Sequence, residues 1–145
     1  MNTYEVKRVL NYSDSKIFDL VNNVEEYPKF LPWCKNASVY NKLNGEFYSD
    51  ITIGFNLINE TFTSRVVFIR PKKIFSIATE GPFKQMVNQW NINFINNTSC
   101  EVVLKIQYEF SSIVMEKILG NIFETASKKM ISAFENRAKQ LFDKN

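Results

Sequence analysis

The chain has 145 residues and a formal charge of +3, and its sequence contains no histidine. A chain of this length builds one domain around one core, so we interpret residues 1–145 as a single domain. Because histidine is the commonest general base and a common metal ligand, its absence argues against zinc sites and nucleophilic triads. We therefore expect a protein that is not an enzyme and that holds neither metal nor cofactor.

Cysteine usage, hydropathy and charge bear on where the protein works. Cys34 and Cys100 lie far apart and form no CxxC motif, which is typical of a reducing compartment. The first residues contain no apolar run of signal-peptide length, and no window approaches the ~18 apolar residues of a membrane span. We expect a cytoplasmic protein, with peripheral contact at the inner membrane left open. Its mild positive charge is compatible with anionic lipid or RNA as a partner, and we expect no binding to DNA.

The N-terminal third predicts one strand and two short helices. Alternation of apolar and polar residues over residues 4–12 predicts a half-buried strand, in which Arg8 falls on the apolar face and is expected to reach solvent or pair with an acid. Residues 13–15 supply capping oxygens for a first helix that continues to Val24. Pro28 and Pro32 limit the next helix to a turn or two and predict a bent connection.

Six further strands are predicted, covering residues 37–43, 47–57, 62–69, 74–79, 86–94 and 100–110. Asn44-Gly45 is a strong hairpin signal, and Gly81-Pro82 closes another strand. Short turns between successive strands require an antiparallel meander, and the alternation gives the sheet one wet and one dry face.

The last third, from about Ile113 to Phe142, predicts one long helix with an apolar stripe. The stripe comprises Met115, Ile118, Leu119, Ile122, Phe123, Ala126, Met130, Phe134, Ala138 and Leu141. Only this helix is long enough to cover the dry face of the sheet. We therefore predict an α+β fold in which a seven-stranded curved antiparallel sheet surrounds a long C-terminal helix, with two short helices after the first strand.

Several segments, spread in order over nearly the whole chain, resemble a known family. They are residues 18–21 (FDLV), 26–34 (EYPKFLPWC), 54–55 (GF), 60–66 (ETFTSRV), 81–83 (GPF), Trp90 and 110–112 (FSS). This set is similar to the coenzyme Q-binding branch of the START-like (polyketide cyclase) superfamily, which includes bacterial ribosome-association toxins of the RatA type. The resemblance implies a helix-grip fold, a single START-like coenzyme Q-binding domain over residues 1–145, and an elongated apolar cavity between sheet and helix.

Patterning alone leaves a solid core as the alternative to a cavity. If the cavity implied by the resemblance exists, its candidate wall residues have inward phase and match family positions. They are Phe55, Phe62, Trp90, Ile122, Phe123, Ala126 and Met130. Aromatic rings and a flexible thioether can stack on a quinone ring or accommodate an isoprenoid tail.

The proline bend carries four large apolar side chains, Tyr27, Phe30, Leu31 and Trp33. Such a segment is a candidate lid that dips into the membrane interface, where Trp and Tyr prefer to lie. Packing against the open end of the sheet is the alternative.

A basic turn at Arg70, Lys72 and Lys73 is the candidate contact for ribosomal RNA, although most turn lysines are simply solvated.

The resemblance leaves two functions open. The first is a ubiquinone (prenylated quinone) binding protein that acts as a lipid carrier supporting respiration. The alternative is the ribosome-association toxin of a type II toxin–antitoxin system, which binds the large ribosomal subunit and blocks subunit joining. An enzyme of the cyclase or dehydrase type is the third hypothesis.

Overall fold

The computed structural model describes residues 1–143, and its elements follow the predicted order. The strands are β1 (Asn2–Leu10), β2 (Cys34–Leu43), β3 (Glu46–Phe55), β4 (Ile58–Ile69), β5 (Lys73–Glu80), β6 (Phe83–Asn96) and β7 (Ser99–Phe110). The helices are α1 (Asp14–Asn22), a 3₁₀ helix (Val24–Lys29) and α2 (Ile113–Phe142). None of the helices in this range is long and apolar enough to cross a membrane.

All seven strands form one antiparallel sheet in the order β1-β7-β6-β5-β4-β3-β2. Strands β2 to β7 form the predicted meander, and β1 pairs with the last strand, so β1 and β2 are the two edges. On β7 every second side chain is buried from Cys100 to Phe110, as the alternation predicted. The predicted α+β fold is confirmed.

One strand boundary differs from the prediction at the β3–β4 hairpin. Residues 56 and 57, expected to end a strand, form the turn, and β4 begins at Ile58 rather than at Phe62. Asn56 adopts a positive φ of 57°, a conformation that asparagine tolerates better than most residues. The hairpin therefore projects further than the sequence indicated, with Phe55 paired to Ile58 at its tip.

Helix α2 contacts β1, β3, β7 and α1 through one face. The hydroxyl of Ser112 caps it by accepting a hydrogen bond from the Met115 N–H at 3.1 Å. Its buried residues are Leu119, Phe123, Ala126, Ser127, Ile131, Phe134 and Ala138. The predicted stripe was partly wrong: Ile118 and Leu141 are exposed, whereas Ile131, which it omitted, is buried. The face toward the sheet is rotated slightly from the stripe that the sequence suggested.

Arg8 lies on the inward side of β1, as predicted, and pairs with an acid. Its guanidinium donates to the hydroxyl of Ser132 at 3.0 Å and to the carboxylate of Glu135 at 3.1 Å. Both partners lie on α2, so this contact connects the C-terminal half of the helix to the edge strand. Because the pair is partly exposed, its contribution to stability is modest.

Candidate functional site

An inner cavity lies between the sheet and α2. The centre of a water molecule can occupy about 90 Å³ of it. For a spherical space, adding back the radius of water gives a full volume on the order of 300 Å³, at the lower limit of ligand pockets. That volume accommodates a substituted benzoquinone ring but not a long isoprenoid tail in addition. A prenylated quinone therefore requires the cavity to expand or to open so that the tail can extend out of it.

Six of the seven predicted wall residues line the inner cavity. Phe62 and Trp90 come from the sheet, and the remaining four come from α2: Ile122, Phe123, Ala126 and Met130. Alternation on each strand turns the inward residues toward the helix, and the period of α2 brings one stripe onto them. The solid core that patterning left open is therefore not what the structure contains.

Phe55 is the exception, and its predicted position in the cavity wall is corrected. Its side chain is 63% exposed at the tip of the β3–β4 hairpin. The phase along β3 is as predicted, but at the hairpin tip α2 lies beside Phe55 without covering it, and the side chain stays open to solvent. Phase fixes the face on which a strand residue lies, not whether another element covers it.

Phe55 instead lines an outer depression, defined by Pro32, Trp33, Gly54, Phe55, Asn121, Ile122, Thr125 and Lys129. Trp33 and Ile122 line both the inner cavity and the outer depression. These two side chains therefore separate the cavity from the surface, and their displacement would connect the two spaces.

The candidate lid residues pack inward in the described conformation. Leu31 is buried, and Tyr27, Phe30 and Trp33 are partly buried against the core. The ring of Phe134 on α2 lies 5.3 Å from Tyr27 and 5.1 Å from Phe30, centroid to centroid, and the Tyr27 hydroxyl donates to the Val21 carbonyl. The observed position matches the alternative of packing against the sheet's open end, so contact of these residues with a membrane would require the segment to move.

Gly54 holds the end of this segment through its backbone. Its N–H donates to the carbonyl oxygen of Trp33 at 3.0 Å. A Cβ at this position would lie 1.9 Å from the carbonyl oxygen of Ile58 across the hairpin. Only glycine fits, which gives a physical reason for the Gly-Phe pair in the resemblance.

The two thiols are poor nucleophiles at neutral pH. Burial raises the pKa of Cys34, which lines the inner cavity, to about 11, and burial likewise raises the pKa of Cys100 to about 11. Burial and then the nearby Cys34 raise the pKa of the Tyr27 phenol. Within residues 1–143, no group of three His, Cys, Asp or Glu side chains could hold a metal ion.

Sequence reasoning missed the polar groups of the cavity wall: Ser49, Ser64, Ser76, Asn88 and Ser127. The four on strands stand at inward positions of runs that are otherwise apolar. Ser64, for example, lies between the inward residues Phe62 and Val66. A polar residue in the dry phase of a strand was the signal that could have identified them.

The three predicted ribosome contacts differ in their availability. Arg70 donates two hydrogen bonds to the Asp19 carboxylate, at 2.9 and 2.8 Å, and Asp19 raises the pKa of the guanidinium. Lys72 and Lys73 are exposed, and neither forms an ion pair within the described part of the chain. Two cations of the basic turn therefore remain available to a partner.

Residues 10–135 match the family described as polyketide cyclase/dehydrase and lipid transport. A ribosome association toxin RatA from Rickettsia prowazekii is 34% identical over 97% of this chain and 99% of the toxin. The mitochondrial coenzyme Q-binding protein COQ10 of Dictyostelium discoideum is 28% identical over 97% of this chain and 70% of that protein.

Solved structures give the same result for the fold. The Zhui aromatase/cyclase from Streptomyces sp. R1128 superposes with a TM-score of 0.82 at 14% identity, over 96% of this chain and 94% of that one. An 18 kDa protein from Caulobacter crescentus superposes with a TM-score of 0.77 at 30% identity, over 99% and 100% of the two chains. This chain belongs to the polyketide cyclase/dehydrase and lipid transport family, and a RatA toxin and a coenzyme Q-binding protein are among its relatives.

Proposed function

We propose that this protein binds a prenylated quinone such as ubiquinone in the inner cavity and carries it between the membrane and respiratory or biosynthetic partners. The observation that carries the proposal is the apolar cavity between sheet and α2, with the outer depression separated from it by only two side chains. The likeness to a coenzyme Q-binding protein supports the choice of ligand.

The driving force for uptake is the transfer of apolar surface from water, at about 25 cal/mol per Å². The polar groups of the wall are hydroxyls, a thiol, two indole N–H groups and one amide, and none of the cavity residues is charged. Such a wall binds and shields a lipid, and we propose no chemical step. Peripheral contact with the inner membrane from the cytoplasm, at the end that carries the outer depression, would let the ligand enter without crossing water.

The first test is ligand recovery and binding. Purified protein is extracted with organic solvent for mass spectrometry, and added quinone is titrated against the fluorescence of Trp33 and Trp90, which both lie in the wall. We expect quinone in the extract and quenching that saturates at one equivalent. Absence of quinone from repeated extracts, together with no saturable quenching, would contradict the proposal.

A filled cavity provides the matched variant. Ala126, on α2, is 4% exposed and lines the cavity, so Ala126→Phe places a ring in the space that the ligand needs. We expect quinone affinity to fall by at least tenfold. Asn136→Phe adds the same ring on the exposed face of α2 and should leave binding unchanged. Equal affinity in both variants would argue against this cavity as the site.

Ribosome association is the second candidate, and the extent of the similarity to the Rickettsia toxin RatA favours it. On this proposal the basic turn contacts RNA phosphates of the large subunit, which makes binding sensitive to salt. We expect co-sedimentation with the large subunit to weaken in Lys72→Glu/Lys73→Glu. The control Lys7→Glu/Lys117→Glu changes the charge equally at exposed sites outside the basic turn. Sedimentation that is unaffected by salt and by the first pair would exclude this role.

A further inference from the structure

Ser64 carries a buried hydroxyl with no hydrogen-bond partner among residues 1–143. The residue is 2% exposed and lines the inner cavity from β4. An unpaired buried polar group destabilises a protein, so most such groups in native structures are paired. The oxygen of Ser64 faces a space whose remaining wall is largely apolar, which leaves a bound molecule as its partner.

Neighbouring strands place further polar groups beside Ser64. Ser49 lies directly opposite it on β3, and Ser76 lies directly opposite Asn88 on the adjoining pair β5–β6. Directly opposite residues have Cβ atoms about 4.5–5.5 Å apart, and diagonal neighbours about 7–8 Å. These four residues, all in the cavity lining, form a polar floor on an otherwise apolar sheet face.

Ser127 shows that a hydroxyl in this cavity is not by itself a sign of a ligand. It also lines the cavity and is 3% exposed, but its Oγ donates to the Phe123 carbonyl oxygen at 2.8 Å. That bond satisfies it within its own helix. The contrast between two buried serines of one cavity singles out Ser64.

The polar floor lies toward one end of the cavity. At that end the space is closed by an aromatic cluster in which Phe68 lies 5.9 Å from Phe47 and 6.0 Å from Phe18. On the other side, the strand runs six residues from Ser49 to the outer depression at Phe55, about 20 Å at the rise of a strand. The floor is thus at the deep end of the cavity, and the surface opening is remote from it.

We propose that Ser64 donates a hydrogen bond to an oxygen acceptor, such as a ring carbonyl, on the head group of an apolar ligand that enters head first. The hydroxyl of Ser49 and the amide of Asn88 surround the same head group. The tail runs back along β3 and β4 and leaves past Trp33 and Ile122. This inference rests on the proposed quinone binding and adds the orientation of the ligand and the residue that recognises it.

The test uses two probes with the same tail: a benzoquinone carrying a geranyl chain, and geranylbenzene, which has no oxygen. Wild-type protein should bind the quinone more tightly. In Ser64→Ala the affinity for the quinone should fall about tenfold, because one net hydrogen bond is lost, while geranylbenzene should bind as before. The control Thr63→Val removes the hydroxyl of the neighbouring residue on β4, which lies outside the cavity and donates to the Asp50 carboxylate at 2.7 Å, and it should leave both affinities unchanged.

Infrared spectroscopy of the carbonyl-labelled quinone gives an independent readout. A hydrogen bond lowers the carbonyl stretching frequency, and this shift should be present in wild type and in Thr63→Val but absent in Ser64→Ala. Binding of both probes with no loss in Ser64→Ala, or with an unshifted carbonyl, overturns the role of Ser64 and leaves the proposed function standing. Failure of wild-type protein to bind either probe overturns both.

Discussion

The two ends of β4 differ in chemistry. The outer depression lies near its first residue, Ile58. Exposed apolar side chains surround this end, with Phe55 63% and Leu57 97% exposed. At its last residue, Ile69, the basic turn begins. The 12 residues of β4 place these regions roughly 40 Å apart at a strand's rise per residue. An apolar ligand and a polyanionic partner would therefore meet different parts of the molecule, and the two candidate functions are separable by mutation.

The largest effect is expected from Phe134, which joins the lid residues to α2. Its ring lies 5.0 Å from Trp90 in addition to its contacts with Tyr27 and Phe30, and it is 2% exposed. Phe134→Ala should lower the free energy of unfolding by about 3–5 kcal/mol. Urea denaturation measures this loss.

The same variant tests whether the two ends of β4 act independently. If the variant remains folded at low temperature, quinone binding should weaken because the cavity wall is loosened, whereas sedimentation with the large subunit should persist. A loss of sedimentation equal to the loss of quinone binding would show that the two ends do not act separately.

Gly54 gives the next largest effect and tests the hairpin beside the outer depression. Gly54→Ala forces Cβ against the Ile58 carbonyl, so β3 and β4 must separate locally, at a cost of about 2–4 kcal/mol. Differential scanning calorimetry should show a clear fall in Tm. The control is Gly120→Ala on α2, where the nearest atom to the new Cβ is 4.0 Å away, and there stability should rise by about 0.5–1 kcal/mol. Equal Tm values for the two variants would contradict the steric argument.

The two buried thiols lie in different parts of the molecule and give a smaller effect, a loss of stability at high pH. Cys34 lies beside Trp33 near the outer depression, whereas Cys100 pairs with Leu10 at the end of β1. Both thiols have a pKa of about 11 in the folded protein because they are buried, above the ordinary value of 9.0. Because the pKa of each thiol is higher in the folded than in the unfolded protein, burial of the thiols costs no stability below pH 9. The free energy of unfolding falls as the pH rises from 9 toward 11. The loss should be on the order of 2 kcal/mol per thiol at pH 10.5, as an upper bound.

Urea titrations between pH 7.5 and 10.5 measure this loss, and alkylation rates distinguish the two thiols. Bound quinone should slow alkylation of Cys34, which lines the cavity, and leave Cys100 unaffected. Protection of both thiols to the same degree would indicate a general stabilisation instead of occupation of the cavity. A free energy of unfolding that is constant over this pH range would contradict the assigned effect of burial.

Much of the fold could be predicted because its signals are local. The alternation along β7 and the glycine and proline turns define the meander, and no element other than α2 has the length to cover it. The cavity could not be predicted in this way, since patterning is equally consistent with a filled core. Only the resemblance implied a cavity. Its extent depends on how closely α2 approaches the sheet, which no local pattern encodes.

The site residues show where sequence reasoning stops. Phe62 and Trp90 could be placed because an inward phase in the middle of a covered sheet is sufficient. Phe55 could not, since the burial of a side chain at a hairpin tip depends on how closely α2 approaches that tip. The significance of Ser64 lies in the absence of a partner for its hydroxyl, a property of the surroundings that the residue type does not carry.

One of the two edge strands of the sheet, β2, has an irregularity with consequences for self-association at that edge. Its register with β3 shifts between Tyr40 and Leu43, where Asn41 adopts a positive φ of 52°, and Lys42 projects from the same stretch. A bulge and a charge at an unpaired edge hinder the addition of another chain as an eighth strand. Pairing of a second copy of the protein with this edge is therefore disfavoured.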